Sequence, residues 1–210
     1  MALSRLGVIP AAGKAERFGG ILKELMPTLD GGTFLSHAAN RLFMSCSRTV
    51  VITTTEKIAE HARELNYYAF YAVQSGKSDI WSAIKTSLEF EADYYLFTMP
   101  DTLMPADSFK GCAGSDFEMG MHLTDKPERY GVLRDGRIVN KQAGDAGMAW
   151  GVLSWSRSVA EYWLSHTIDN YTDAINMAIS KFGVKTWSLD WYYDNASMFD
   201  YVEYIRRGIK

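Results

Sequence analysis

The sequence predicts an α/β domain in which helices cover both faces of a mixed, mostly parallel central sheet, a three-layer α/β/α arrangement with a small additional β part. Three observations carry that prediction. Short apolar runs rich in β-branched and aromatic residues recur along the first half. Amphipathic stretches with helical spacing separate them. Beyond about residue 112 the rhythm changes to successive strands that include one tight-turn signal.

Taken in order, Leu6–Pro10 is too short for a helix and reads as a buried strand, so the glycine-bearing stretch AAGKAERFGG at 11–20 is a loop at a strand end. TFLSHAANRLF puts Phe34, Leu35, Ala38, Leu42 and Phe43 at helical spacing, with Thr33 as N-cap. RTVVITT is a strand, TEKIAEHAREL a helix with Ile58, Ala62 and Leu65 on one face, and YYAFYAV a strand. SDIWSAIKTSLEF is a helix capped by Ser78, with Ile80, Ala83, Ile84 and Leu88 inward, and YYLFTM is a strand ending at Pro100. In the second half FEMGMHL is a strand, and YGVLRDGRIV is a hairpin because Asp135-Gly136 suits a two-residue turn. The strand MAWGVLSW, the helices SRSVAEYWLSH and YTDAINMAISKF, the strand VKTWSL and an amphipathic helix near MFDYVEYIRR follow. No repeat, low-complexity tract or Pro-, Gly- or Ser-rich linker interrupts the chain. Residues 1–210 are therefore expected to form one domain, with halves of about 1–112 and 113–210.

A formal net charge of −3 with no long basic run argues against nucleic acid as a partner. No apolar run approaches the roughly 20 residues of a membrane helix, and the chain enters a strand almost at once, so neither a membrane partner nor a signal peptide is expected and the cytoplasm is the economical location. Cys46 and Cys112 lack metal-type spacing and read as buried thiols of a reducing compartment. The four histidines, His37, His61, His122 and His166, form no metal or catalytic pattern, and no Ser/His/Asp or Cys/His set stands out. A homo-oligomer is compatible with this composition.

Three segments could carry chemistry. In the first loop Gly13, Lys14, Arg17, Gly19 and Gly20 could surround a polyphosphate, although the spacing is neither GxGxxG nor GxxxxGK[ST] and a solvated surface loop explains the charges equally. Asp101, just past a hydrophobic strand in MPDTLMP, would point a carboxylate into the same crevice if the two strands are parallel, as a hard cation requires; a turn residue after Pro100 is the bland alternative. In WSLDWYYDNASMFDY, Asp190 or Asp194 could supply a second carboxylate.

Taken together and in this order, IPAAGKAERF, LKELMPTLDGGTFLSHAANRL, MPDTLMP, RYGVLRDGRIVNKQ, AWGVLSW, YTDAINMAI and WYYDNASMFDY resemble the sugar-1-phosphate nucleotidyltransferase (NDP-sugar pyrophosphorylase) family across roughly residues 5–205. The resemblance implies a Rossmann-like fold and a reaction in which a nucleoside triphosphate and a sugar-1-phosphate give a nucleotide sugar and pyrophosphate, with Mg²⁺ as cofactor. It implies that Lys23 and Arg17 steady the phosphates and that Asp101 and Asp194, rather than Asp190, hold the metal. Ala11, Ala12, Gly13, Lys14, Gln74 and Ser78 fall on the nucleotide side, with Gln74 facing the base; Tyr130, Gly131, Asn140, Lys141, Trp150 and Gly151 fall on the acceptor side, with Lys141 at the acceptor phosphate.

The sequence departs from the pattern at several points. Leu22 replaces a proline, Asn140 and Gln142 replace the Glu and Pro flanking the family lysine, Ala196-Ser197-Met198 stands for Gly-Thr-Pro, and SGKSDIWSA follows Gln74 in place of the usual segment. Base preference therefore does not carry over. Because the sequence runs about one helix past Asp194, the β-helical domain that some members of the resembled family append is not expected. Two alternatives stay open: a cytidylyltransferase acting on a phosphorylated alcohol, polyol or amino-alcohol, and a non-catalytic nucleotide-sugar-binding regulatory protein. A glycosyltransferase fits less well, for want of an Asp-x-Asp and because of the Lys23 segment.

Overall fold

The computed structural model describes residues 3–13, 18–65, 68–71 and 79–208. Strand β1 (Arg5–Ala11) leads through a short 3-10 turn at Lys23–Leu25 into α1 (Phe34–Phe43), β2 (Arg48–Thr53), α2 (Glu56–Glu64) and β3 (Tyr68–Tyr71). Then come α3 (Ile80–Ser87), β4 (Tyr94–Thr98), the two-residue β5 (Thr102–Leu103) and β6 (Phe117–Thr124). The hairpin β7 (Gly131–Arg134) and β8 (Arg137–Asn140) precedes β9 (Gly147–Ser156), α4 (Arg157–Leu164) and α5 (Tyr171–Phe182). Strands β10 (Lys185–Ser188) and β11 (Tyr193–Asp194) and helix α6 (Met198–Arg207) close the chain.

The main sheet runs β10-β6-β9-β4-β1-β2-β3, and the β7–β8 hairpin joins it through β9. Pairing is parallel for β1 with β2 and β4, for β2 with β3 and for β10 with β6; β9 runs antiparallel to both β4 and β6. The mixed, mostly parallel sheet expected from the sequence is thus present, and the antiparallel β9 marks where the second half joins the first. The chain builds outward from β1 to β3 and then returns to place β4 on the other side of β1. Between β1 and β4 the winding direction reverses, which opens a crevice beyond their carboxyl ends.

Side chains of β1 alternate between the two faces, as strand geometry requires. Leu6 and Val8 enter a core with Trp81, Phe97, Trp155 and Trp163 beneath α3, α4 and α5, whereas Ile9 and Ala11 pack with Leu35, Leu42 and Ile58 beneath α1 and α2. A third cluster of Phe18, Met26, Phe34, Leu103 and Tyr204 seats α6 against the first loop and β5. The hairpin turns where expected, with Asp135 at φ 48° and Gly136 at φ 71°, the left-handed pair a type I′ turn needs. Asn176 of α5 accepts from the Ile138 N–H at 2.7 Å and donates to its carbonyl at 3.0 Å, satisfying the outer edge of β8.

Two expectations are corrected. Helix α3 begins at Ile80 and is capped not by Ser78 but by Asp79, whose carboxylate accepts from the Ser82 N–H at 2.7 Å. An ionised carboxylate complements the helix N-terminus more strongly than a hydroxyl. Phe43, assigned to the apolar face of α1, is 68% exposed, because the buried stripe of the helix runs through Phe34, Leu35, Ala38, Arg41 and Leu42 and Phe43 lies one position around the helix from it; the inward position is taken by Arg41, which is 2% exposed. Thr33 caps α1 as expected, in a reciprocal capping box with Ser36. No helix among the described residues is long and apolar enough to cross a membrane.

Candidate functional site

A cavity of about 280 Å³ occupies the crevice at the reversal between β1 and β4. Its floor is the end of β1 and the loop after β4: Pro10, Ala12, Gly13, Met99, Pro100 and Asp101. Lys23 and Glu24 of the 3-10 turn and Asp79, Ile80 and Ala83 of α3 form one wall; Arg129, Tyr130, Gly131, Asn140, Lys141, Trp150 and Tyr171 form the other; Tyr192, Asp194 and Ala196 close it.

The parallel pairing of β1 and β4 brings the first loop and Asp101 to the same end of the sheet. Lys23 Nζ donates to Asp101 Oδ2 in a short ion pair. Asp101 is 4% exposed, and its other oxygen, Oδ1, is buried with no hydrogen-bond partner among the described residues. Asp194 arrives by a separate device: β5 and β11 pair antiparallel, with Asp194 opposite Thr102, the residue after Asp101. The Asn195 N–H donates to the Asp101 carbonyl at 3.0 Å and fixes that register. Burial, and then the charge of Asp101, push the Asp194 carboxyl up to about 6 against the pull of Arg129, so the two carboxylates sense each other electrostatically. Asp190, by contrast, is exposed and pairs with Lys110 at 3.4 Å, outside the cavity.

Several cavity-facing charged or polar groups were not foreseen from the sequence, Arg129, Tyr171, Tyr192 and Glu24 among them. Arg129 donates to Asp194 at 3.2 Å and to Asp200 at 2.9 Å. Tyr171 donates to the Asn140 amide oxygen at 3.2 Å. Tyr192 stacks flat on His122 at 4.0 Å between centroids. Glu24, 1% exposed, has one carboxylate oxygen without a partner among the described residues, and burial pushes its carboxyl up to about 6. Behind the floor, Arg41 donates to the carbonyls of Thr102 at 3.0 Å and Met99 at 3.2 Å and to Thr98 Oγ1 at 3.1 Å, bracing the loop that carries Asp101. A sequence signal existed for Arg41 alone: it lies three residues after Ala38 and seven after Phe34, on the inward stripe of α1.

Of the anticipated site residues, Ala12, Gly13, Lys23, Asp101, Tyr130, Gly131, Asn140, Lys141, Trp150 and Asp194 line this one cavity. Lys141 stands exposed at the rim with φ 51°, its N–H donating to the Tyr130 carbonyl at 2.8 Å. Ala11 is fully buried below the cavity floor. Gly151 lies behind the wall, where a Cβ would come within 2.7 Å of Leu189 and 2.9 Å of Tyr192, so its part is to let Tyr192 approach β9. Lys14, Arg17, Gln74 and Ser78 lie outside the described residues.

Among the described residues no group of three or more His, Cys, Asp or Glu side chains could by itself hold a metal. The donor set is two carboxylates, which matches a cation that takes one or two carboxylates and completes its shell with substrate phosphate and water, as Mg²⁺ does. The buried, unpartnered Oδ1 of Asp101 fits such a ligand.

The buried Glu24 makes stability depend on pH. Its folded-state value of about 6 exceeds the ordinary 4.5, so the folded state holds the proton more tightly, and the contribution is fully favourable at low pH and lost as pH rises through 6. Glu24→Gln should therefore stabilise the ligand-free protein by up to about 2 kcal/mol at pH 8 and by less than about 0.5 kcal/mol at pH 4.5. Urea denaturation at the two pH values measures the difference; equal effects at both would show that the carboxyl is not perturbed.

A family model for the MobA-like NTP transferase domain matches residues 7–111 of the 210. Among solved structures, the chain superposes with TM-score 0.82 and 18% identity on a protein designated a glucose-1-phosphate thymidylyltransferase from Bacillus anthracis, in complex with a sucrose, covering 99% of this chain and 97% of that one. It matches the inositol-1-phosphate CTP transferase from T. maritima with TM-score 0.74, 15% identity and 98% and 96% coverage. HddC from Yersinia pseudotuberculosis gives TM-score 0.72 at 17% identity, covering 99% and 100%. At such identities these likenesses speak to the fold. No functionally curated protein matches the chain by sequence.

Proposed function

The chain belongs to the MobA-like NTP transferase domain family and is a nucleotidyltransferase, and from that premise we propose that it joins a nucleoside triphosphate to a sugar-1-phosphate, forming a nucleotide sugar and pyrophosphate. The observation that carries this reading is the convergence of Lys23, Asp101 and Asp194, three residues from distant parts of the sequence, at one buried crevice. In this reading residues of about 1–112 bind the nucleotide and those of about 113–210 the acceptor.

An oxygen of the acceptor phosphate attacks the α-phosphorus in line; a new P–O bond forms as the bond to the β-phosphate oxygen breaks and pyrophosphate leaves with the electron pair. The attacking oxygen is already ionised, so no general base is needed. The obstacle is charge, because two anions must meet in a crevice that excludes much of the water. Lys23, oriented by Asp101, supplies a fixed positive charge beside the α-phosphate, and Arg17 adds a second. Backbone groups of Ala12 and Gly13 line the floor where the phosphates approach. Lys141 at the rim holds the acceptor phosphate, while Tyr130, Gly131 and Trp150 bound the acceptor body. Asp101 and Asp194 would hold Mg²⁺, which when bound draws negative charge from the reacting phosphates.

A second reading has one observation in its favour. Asn140, where the resembled family has a carboxylate, is engaged by the Tyr171 hydroxyl, which leaves a weaker hydrogen-bonding edge for a sugar ring and suits a phosphorylated polyol or alcohol with CTP.

Pyrophosphate release measured with each of the four nucleoside triphosphates against a set of sugar-1-phosphates and a polyol phosphate, with and without Mg²⁺, tests both readings. Turnover with a sugar-1-phosphate supports the first, turnover with CTP and a polyol phosphate alone the second, and no acceptor-dependent release with any pair rejects both. His166→Ala should leave turnover unchanged: His166 is exposed, bonded to the Tyr162 carbonyl at 2.8 Å, and not among the cavity-lining residues.

A further inference from the structure

Arg129 has no assigned part in the chemistry above, yet it occupies an unusual position. It ends the 3-10 turn Pro127–Arg129 between β6 and the acceptor-side hairpin, and its guanidinium spans two carboxylates from different elements: Asp194 of β11 at 3.2 Å and Asp200 in the first turn of α6 at 2.9 Å. The fork is held from the far side as well. Asp200 accepts from the Ser197 hydroxyl at 2.6 Å, and Ser197 is the N-cap of α6. The guanidinium carbon also lies 5.9 Å from the centre of the Tyr130 ring. Two charge-assisted contacts to separate carboxylates, one from each terminal nitrogen, fix a planar guanidinium in a way one would not.

The pairing is also selective in which oxygen it takes. Arg129 binds Oδ2 of Asp194, and Asp194 sits on a two-residue strand that, among the described residues, pairs with the equally short β5 alone. So short a ladder fixes the backbone and leaves the side-chain rotamer to be set by whatever touches the carboxylate. Among the described residues the charged groups that act on it are Asp101 and, more weakly, Asp200, which repel it, and Arg129, which attracts it.

We propose that Arg129 is a positioning residue for the metal-binding carboxylate: clamped by Asp200, it holds Asp194 in the orientation that, with Asp101, receives the divalent cation. This rests on the assignment of Asp101 and Asp194 as metal ligands. Groups that orient metal-binding carboxylates typically change metal affinity by about 10- to 100-fold when removed. Arg129→Ala should therefore weaken cation binding by a factor of that order, Arg129→Lys by less, and Asp200→Asn should share the defect although, among the described residues, Asp200 is joined to Asp194 only through the Arg129 guanidinium.

Mn²⁺ serves as the probe, its free concentration read by electron paramagnetic resonance in the absence of substrates, on the full chain and on Arg129→Ala, Arg129→Lys, Asp200→Asn and Asp194→Asn, with thermal melting to establish that each is folded. Weakened Mn²⁺ binding in both Arg129→Ala and Asp200→Asn, with partial recovery in Arg129→Lys, supports the positioning role. If Asp194→Asn abolishes binding while Arg129→Ala and Asp200→Asn bind as the unaltered chain does, the positioning role falls and the metal assignment stands. Tighter binding in Arg129→Ala would show that the guanidinium competes with the cation, which also overturns the proposal. If Asp194→Asn binds Mn²⁺ unchanged, the metal assignment fails and the role of Arg129 fails with it.

Discussion

Asp101→Asn should lower kcat/KM for pyrophosphate release by at least about 10²-fold, some 3 kcal/mol of transition-state stabilisation, while leaving the fold intact. The substitution keeps the shape of a side chain that is 4% exposed, so packing around it is preserved. What it removes is charge, and charge is what the site is built around. Lys23 loses the anion that orients it, and the buried Oδ1, without a partner among the described residues, no longer belongs to a carboxylate that can bind a cation. Lys23→Ala should cost a similar amount. Because the two residues act as a pair, the double variant should be little worse than either single one. Steady-state kinetics of the three variants, with melting curves beside them, check both statements. Near-normal turnover in either single variant would remove the pair from the chemistry, and strict additivity would show that they act separately.

Arg41→Ala should destabilise the protein by at least about 3 kcal/mol, combining a cavity with lost partners for buried acceptors. Arg41 is 2% exposed, and burial lowers its guanidinium to about 10, still charged at neutral pH. Its hydrogen bonds satisfy the carbonyls of Met99 and Thr102 and the hydroxyl of Thr98, tying the end of β4 to the start of β5 across the turn that carries Asp101. Arg41→Met separates the two contributions, since it fills most of the volume but offers no donors; it should retain a large share of the loss. Urea denaturation gives the magnitudes. Activity should fall beyond what stability accounts for, because the braced segment carries Asp101. A stability change below about 1 kcal/mol in Arg41→Ala would mean that water replaces the guanidinium at little cost.

The sheet and most helices were legible in the sequence because their signals are local. The alternation of Leu6 and Val8 with Ile9 and Ala11, the capping of α1 by Thr33, and the Asp135-Gly136 turn each depend on residues within a few positions of one another. The misplacements at Phe43 and Ser78 are end effects: at the last turn a buried Arg holds the inward position that an apolar residue was expected to take, and two adjacent residues can both cap. The strands β5 and β11 are two residues each, too short for any periodicity to reveal.

By itself, then, the sequence determined the α/β class, the order of the helices and of the longer strands, and the candidate charged residues in the segments between them, Lys23, Asp101 and Asp194 among them. Spacing by itself left Asp190 and Asp194 open and the family resemblance favoured Asp194; the tertiary structure supplies the physical cause, pairing between β5 and β11, segments about 90 residues apart, that brings Asp194 to the crevice. It alone brought in Arg129 and Glu24, whose charges look like ordinary surface positions until the folded chain buries them or sets them against partners far away in sequence, and it alone gave Arg41, on the inward stripe of α1, its partners. The physical reason is the same in each case. Hydrophobic periodicity is written into neighbouring residues, whereas the environment of a charge is created by groups that meet only after folding.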